Sequence, residues 1–183
     1  MSSDEDDDDL APHAWSPDGK MLAYTDRGDI WIASLDGKRT KLLGDAFTEG
    51  RPAFSPDGRW LAYQSNESGR FEIYVRAFPA LGRLWPVSIG GGQEPRFGRD
   101  SRRLFFRNGQ KLMAVDIAAQ GEPVRSKPTV LLERPFARAT TYDVAADGRF
   151  VYIEESLMPP PSELVLVQHF FAELERLAPA SQR

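Results

Sequence analysis

Apolar and polar residues alternate along most of this chain in short runs, and each run ends at a cluster of Gly, Pro, Asp, Asn or Ser. This period of two, with many β-branched and aromatic residues at the apolar positions, is typical of β-strands that bury one face. The runs fall into four groups, which cover residues 12–43, 52–88, 95–132 and 141–167. The pattern predicts four strands in each of the first three groups and three strands in the last.

A ten-residue phrase recurs at the start of each group. WSPDGKMLAY at Trp15–Tyr24 returns as FSPDGRWLAY at Phe54–Tyr63, and then as the more divergent FGRDSRRLFF at Phe97–Phe106 and VAADGRFVYI at Val144–Ile153. The copies begin 39, 43 and 47 residues apart. Four short strands in each repeat of this length are typical of the blades of a β-propeller. The sequence therefore predicts an all-β partial or half propeller of about four antiparallel four-stranded blades.

The polar centre of the phrase predicts a tight turn between the first two strands of each blade. Ser at the first position, Pro at the second, Asp at the third and Gly at the fourth are the residues that a type I turn favours. We therefore interpret these residues as structural rather than catalytic. They are Ser16, Pro17, Asp18, Gly19, Ser55, Pro56, Asp57 and Gly58 in the two well-formed copies, and Asp100, Asp147 and Gly148 in the other two.

The repeated phrase, followed by Asp-Ile-Trp or Glu-Ile-Tyr, resembles the TolB-like β-propeller repeats. Residues 63–116 most resemble the propellers that follow bacterial serine/threonine kinase domains, although no kinase motif is present. The resemblance covers about residues 11–178 and departs from the pattern at Arg99, Ser101 and Ala146. It implies a propeller of six or more blades, which this chain is too short to complete. Two copies could close one ring as a homodimer, which we favour. The chain could also be part of a longer propeller, or a closed four-bladed monomer.

The two ends of the chain depart from the strand pattern. Residues 4–9 are all acidic and hold six of the 27 Asp and Glu residues, so the rest of the chain has 23 basic and 21 acidic residues. Such a run repels itself, and we expect residues 1–10 to form a disordered tail. Residues 168–183 carry Phe170, Phe171, Leu174 and Leu177 at helical spacing, with Pro179 as a stop, which predicts a short C-terminal helix.

Composition narrows the location and the chemistry. The chain has no cysteine, and no apolar run approaches the roughly 18 residues that span a bilayer. No export signal is evident, so we expect a soluble protein that is cytoplasmic as given, or extracytoplasmic if it belongs to a longer membrane-anchored protein. No cofactor motif and no cluster with metal-ligand spacing is recognisable.

The sequence assigns no catalytic residue. Nucleophilic hydrolysis usually needs a base beside a hydroxyl, and the only histidines are His13 and His169. His13 lies on a predicted innermost strand and His169 at the strand–helix junction, where both are more easily explained as structural residues. They remain the candidates if the chain is a hydrolase of the esterase or peptidase kind, with a site that forms only in the closed propeller.

A protein or peptide ligand is the alternative, and we favour it. Propellers usually bind ligands on the face that carries the loops between blades and the hairpins between second and third strands. The polar residues predicted there are Asp26, Arg27, Glu49, Arg51, Asn66, Glu67, Arg70, Gln93, Glu94, Asn108 and Arg138. Five further arginines cluster between positions 96 and 107 among aromatic residues. We interpret them as a solvated or inter-subunit patch rather than a nucleic-acid site, because the aromatic residues are expected to face the core.

Overall fold

A computed structural model describes residues 10–44, 46–118, 121–124, 126–136, 142–145 and 147–153. The described part is all-β, as predicted, and contains three four-stranded antiparallel sheets and one two-stranded sheet. The acidic residues 4–9, the predicted strand at 163–167 and the predicted helix at 168–183 lie outside the described residues.

Each sheet is one blade, and its strands follow one another in chain order. Blade one has β1 (Ala11–Trp15), β2 (Met21–Asp26), β3 (Asp29–Ser34) and β4 (Arg39–Leu43). Blade two has β5 (Glu49–Phe54), β6 (Trp60–Ser65), β7 (Glu72–Ala77) and β8 (Leu84–Pro86). Blade three has β9 (Gln93–Phe97), β10 (Arg103–Asn108), β11 (Lys111–Asp116) and β12 (Thr129–Glu133). The described part of blade four has β13 (Tyr142–Val144) and β14 (Phe150–Tyr152).

The Ser-Pro-Asp-Gly turn is held by its own side chains. In blade two, the Ser55 hydroxyl donates to Oδ1 of Asp57 at 2.6 Å and accepts from the backbone N–H of Trp60 at 2.9 Å. The backbone N–H of Gly58 donates to the carbonyl of Ser55, and the glycine has a φ of +73°. The Ser16 turn of blade one has the same bonds. The turn is therefore a local device that each copy of the phrase builds from its own residues.

Blade three keeps this turn geometry without the glycine. Ser101 occupies the glycine position with a φ of +58°, and its N–H donates to the carbonyl of Gly98 at 3.0 Å. Its hydroxyl accepts the backbone N–H of Asp57 at 3.0 Å, which joins the turns of neighbouring blades. The hydrogen bond between blades compensates for a backbone conformation that a side chain disfavours.

Each blade presents one face to the blade before it and the opposite face to the blade after it. We call these faces its leading flank and its trailing flank. Residues that are cross-strand partners share a flank, and successive side chains along one strand alternate between the two flanks. The leading flank carries Trp15, Leu22, Tyr24, Trp31 and Ala33 in blade one, Phe54, Leu61, Tyr63, Tyr74 and Arg76 in blade two, and Phe97, Leu104, Phe106, Met113 and Val115 in blade three.

The core consists of the contacts between a trailing flank and the next leading flank. Ala23 and Ile30 of blade one form a buried cluster with Leu61 and Tyr63 of blade two. A second cluster joins blades two and three, and a third joins blades three and four. The trailing flanks contribute both small residues, such as Ala62, and aromatic ones, such as Trp60 and Phe105, so neighbouring blades interdigitate.

Blade four pairs in a different register. In blade two, the first residue of the phrase, Phe54, pairs with the eighth, Leu61. In blade four, the first residue, Val144, pairs with the seventh, Phe150. Because a shift of one residue exchanges the two faces of a strand, Phe150 turns towards blade three while Val151 is 68% exposed on the trailing side. The Phe150 ring packs edge-on against Phe105, with centroids 4.9 Å apart. The larger apolar surface that the aromatic residue buries explains this choice of register.

Candidate functional site on the inner strands

The innermost strands of the first three blades each carry a β-bulge. The register shifts between Pro12 and Ala14 in blade one, between Gly50 and Ala53 in blade two, and within β9 in blade three. Arg51 and Glu94 occupy equivalent places in these bulges and have φ values of +52° and +56°. A bulge re-aims the side chains around it, and non-glycine residues in this conformation are uncommon. The bulges thus give the side chains of His13, Arg51 and Glu94 directions that regular pairing would not, and His13 and Arg51 line a common cavity.

Three of the sequence-predicted residues meet in one pocket at the start of the inner strands. His13, Glu49 and Arg51 line a cavity of about 250 Å³ together with Thr25 and Gln64. We call this cavity the mouth pocket. The rest of its lining is small: Ala11, Gly28, Thr48 and Gly50.

His13 joins the mouth pocket to the interior. Its Nε2 lies 2.9 Å from the Thr25 hydroxyl. Burial and, to a lesser degree, the positive charges of Arg51 and Arg96 together lower the pKa of His13 from 6.5 to about 4. The imidazole is therefore neutral near pH 7, and the surroundings of His13 are electropositive.

A larger cavity of about 610 Å³ opens along the inner strands of all four blades, and we call it the channel hollow. Its cationic side chains are Arg96 and Arg99 of blade three, and its one carboxylate is Asp143 of blade four, among the residues that the structure describes. The rest of the lining comprises His13, Ala14, Trp15, Ala53, Phe54, Pro56, Phe97, Tyr142 and Val144. Arg96 also donates to the carbonyl of Pro95 at 3.0 Å, which orients its guanidinium. The hollow thus combines two cations with an apolar and aromatic wall.

The hairpins between second and third strands reach the same end of the blades as the loops between blades. The backbone N–H of Glu49 donates to the carbonyl of Gly28 at 2.7 Å. Asn66 accepts the N–H of Thr48 on its side-chain oxygen at 2.9 Å, so this predicted ligand residue fastens a loop. Asp26 and Arg27 lie at the β2–β3 hairpin, and Glu67 and Arg70 lie at the β6–β7 hairpin. Arg138 lies outside the described residues.

Glu94 belongs to a buried ion pair rather than to an open surface. Its carboxylate lies 3.5 Å from Nε of Arg107, and both side chains are almost fully buried. Its carbonyl accepts the hydroxyl of Tyr142 at 2.7 Å, and burial raises the pKa of that phenol. The expectation that the five arginines form one solvated patch is wrong for Arg107, because its guanidinium lies beneath the surface and over the Phe136 ring. Of the remaining predicted residues, Gln93 begins β9 and Asn108 ends β10.

Sequence reasoning missed two residues that shape the site, Thr25 and Gln64, and it assigned a third, Arg96, to a solvated or inter-subunit patch. Thr25 and Gln64 follow the repeated phrase directly, at equivalent positions in blades one and two. The Gln64 side-chain oxygen accepts the N–H of Glu94 at 3.2 Å and so connects two blades. The repeat could have revealed Thr25 and Gln64, because the position one residue beyond the phrase lies near the end of the second strand in each of these blades.

The described residues hold no group of three or more His, Asp and Glu that could bind a metal ion. Within the same ranges, no helix has the length and apolar character needed to cross a membrane.

Comparison with known proteins gives the following similarities. The chain matches no protein-family model. Over 182 aligned residues it is 26% identical to Tricorn protease homolog 1 of Streptomyces coelicolor, an alignment that covers 80% of this chain and 17% of that protein. Its structure superposes on TolB from Acinetobacter baumannii with a TM-score of 0.59 and 22% identity, over 84% of this chain and 38% of that one. A TolB-like protein from Agrobacterium tumefaciens gives a TM-score of 0.53 and 21% identity, over 68% of this chain and 50% of that one. The chain thus spans half or less of the length of each of these proteins.

Proposed function

The chain consists of TolB-like β-propeller blades, and from this premise we propose that it is a non-catalytic binding module for a protein or peptide ligand. In this proposal the ligand enters the channel hollow, and a second copy of the chain completes the ring around it. The relation to kinase-associated propellers stays a prediction from the sequence.

The observation that carries the proposal is the chemistry of the channel hollow. A concave surface on which a few polar groups converge is the usual form of a ligand site. Arg96 and Arg99 supply charged donors, while Trp15, which is 56% exposed, supplies flat apolar surface. This combination suits an acidic peptide segment, whose carboxylates accept hydrogen bonds from guanidinium groups and whose apolar atoms cover the aromatic wall.

The pKa of His13 favours binding over catalysis. A general base is most effective when its pKa lies close to the working pH. Burial and the two nearby arginines lower the pKa of His13 to about 4, so its neutral imidazole is a weak base near pH 7. The same electropositive surroundings favour an anionic ligand.

Ring closure is the second part of the proposal. Three blades are complete in the described residues, and the leading flank of blade one has no preceding blade among them. An exposed apolar flank is typical of an interaction surface. Two arcs of about four blades would enclose the channel hollow on all sides and so complete the ligand site.

The binding test uses fluorescently labelled synthetic peptides of equal length that are acidic, neutral or basic. We expect the acidic peptides to bind best. The Arg96→Gln/Arg99→Gln double variant should weaken that binding roughly tenfold or more, because each lost charged hydrogen bond contributes about 1 kcal/mol. Fluorescence anisotropy at two salt concentrations measures the effect.

Arg102→Gln is the matched control, since Arg102 is exposed on the turn of the same blade and does not line the hollow. It removes the same charge and should change the affinity less than threefold. Equal binding of all three peptide classes, or equal losses in the control and the double variant, would contradict the proposed site.

A hydrolase remains the second candidate, because one contact favours it. The 2.9 Å approach of His13 Nε2 to the Thr25 hydroxyl is the distance at which an imidazole activates a nucleophile. A panel of esterase and peptidase substrates tests this candidate directly. Turnover that both His13→Ala and Thr25→Val abolish would replace the binding proposal, whereas inactivity across the panel leaves binding as the function.

A further inference from the structure

The leading flank of blade one exposes apolar residues whose equivalents in blades two and three are buried. Trp15 is 56% exposed, whereas its equivalents Phe54 and Phe97 are each 8% exposed. Leu22 is partly exposed, whereas its equivalents Leu61 and Leu104 are fully buried. The sequence thus places core-type residues on a face where Trp15 is exposed and Leu22 partly exposed, whereas Tyr24 is 7% exposed.

This flank contains a preformed hollow. Leu10, Pro12, Leu22, Tyr24, Ala33 and Arg39 line an apolar cavity of about 250 Å³. At the equivalent place on blade two, Leu61 and Tyr63 pack in one buried cluster with Ala23 and Ile30 of blade one. The cavity on blade one therefore has the shape of a blade-to-blade contact from which the preceding blade is missing.

The trailing side of blade four supplies aliphatic residues of the matching kind. The shifted register of β13 and β14 turns Val151 outwards, and Ile153 directly follows the last residue of β14. They are 68% and 61% exposed. Aliphatic side chains on a trailing flank are what the leading flank of blade two receives from blade one.

We propose that Val151 and Ile153 of blade four in one copy pack into the hollow on the leading flank of blade one in a second copy. The assignment rests on the proposed ring closure and names the surfaces that form it. The contact is head-to-tail. In a dimer it occurs twice, because blade four of each copy meets blade one of the other copy. Head-to-tail contacts form a closed ring when a whole number of copies completes a rotation of 360°. If one chain forms about half of the ring, two copies complete it.

The first test measures the molar mass in solution over a range of concentrations. We expect a dimer of twice the 20.5 kDa chain mass. Leu22→Asp should raise the dissociation constant at least 100-fold, because it places an unpaired charge in an apolar contact. Leu35→Asp is the matched control, since Leu35 is 73% exposed and lies on the β3–β4 turn outside the hollow. It should leave the dissociation constant within about threefold. Circular dichroism of both variants checks that the blades remain folded.

The second test determines which flanks meet. The chain has no cysteine, so each introduced thiol is unique. A mixture of Leu22→Cys and Val151→Cys chains, treated with a short bismaleimide, should give crosslinked dimers that neither variant gives alone. Crosslinking within the Leu22→Cys variant alone would indicate a flank-to-flank contact of another symmetry and would overturn the assignment.

The remaining outcomes separate the two proposals. A wild-type dimer that Leu22→Asp leaves intact would overturn the assigned surfaces while ring closure by another surface stands. A wild-type monomer at every concentration would overturn both. In a monomer, resistance of the Leu22→Cys thiol to alkylation would show instead that another part of the same chain covers the flank.

Discussion

Blades one and two are built from nearly the same phrase but differ in how many neighbours they have. WSPDGKMLAY and FSPDGRWLAY make the same turn and the same first hairpin. Blade two lies between two other blades, and its Leu61, Ala62 and Ile73 are fully buried. Blade one has a covered trailing flank, but on its leading flank Trp15 is exposed and Leu22 is partly exposed.

The difference separates two kinds of stabilisation. The serine hydrogen bonds of the turn span five residues or fewer and are the same in both blades, although in blade two the N–H of Asp57 also donates to the Ser101 hydroxyl of blade three. Packing depends on the next blade, so residues of the same type contribute differently in the two places. A blade is thus a local structure whose stability comes mostly from its neighbours, which is the general behaviour of repeat proteins.

The largest expected difference concerns the equivalent leucines. Leu61→Ala should lower the free energy of unfolding by about 3 kcal/mol, because it leaves a cavity in a fully buried site. Leu22→Ala should cost less than about 1 kcal/mol in dilute protein, because its side chain is partly in solvent already. Urea unfolding followed by circular dichroism, at concentrations below the dissociation constant, measures both values. Equal losses would show that the flank of blade one is covered after all.

The turn serines should show the opposite behaviour, with no difference between the blades. Ser16→Ala and Ser55→Ala each remove an acceptor for a backbone N–H and a donor to the turn aspartate. We expect each to cost about 1 to 2 kcal/mol and the two losses to agree within about 0.5 kcal/mol. Ser68→Ala is the control, because the Ser68 hydroxyl donates within an exposed hairpin and should contribute less than about 0.5 kcal/mol. The same urea titration applies, and a much larger loss in blade two would mean that the turn depends on neighbouring blades.

These two kinds of stabilisation also explain which features could be predicted from the sequence. The blades were predictable because the turn of Ser55 and Gly58 has local chemistry, and a local pattern that recurs identifies its architecture. The register of blade four was not predictable, since it depends on the contact between Phe150 and Phe105, which lie in different blades.

The candidate site follows the same rule. His13 and Arg51 could be named from their strand positions, because the start of an inner strand is visible in the repeat. The convergence of Arg96 on His13 depends on how blades one and three are placed across the interior, and no sequence spacing records that. The ion pair of Glu94 with Arg107 was missed because burial of a charge is decided by tertiary packing.

The smallest expected effect is the pH dependence that His13 brings to blade one. The pKa of His13 is about 4 in the folded chain and about 6.5 in the unfolded chain. Between these values the unfolded state binds more protons, so the free energy of unfolding falls as the pH falls from about 6.5 to about 4 and changes no further below that. Because the imidazole is only half-buried, we expect this loss to be about 1 kcal/mol rather than the larger value that the full shift would give.

His13→Gln removes the titrating group and leaves the carboxylates in place, so the difference between the two pH profiles isolates the histidine. The wild-type profile should fall more steeply between pH 6.5 and 4. A titration of the His13 ring signals by NMR, with an expected midpoint of about 4, measures the folded-state pKa independently. A midpoint near the ordinary histidine value, with parallel unfolding profiles, would mean that Arg51 and Arg96 do not converge on His13. The electropositive channel hollow would then lose its main physical support.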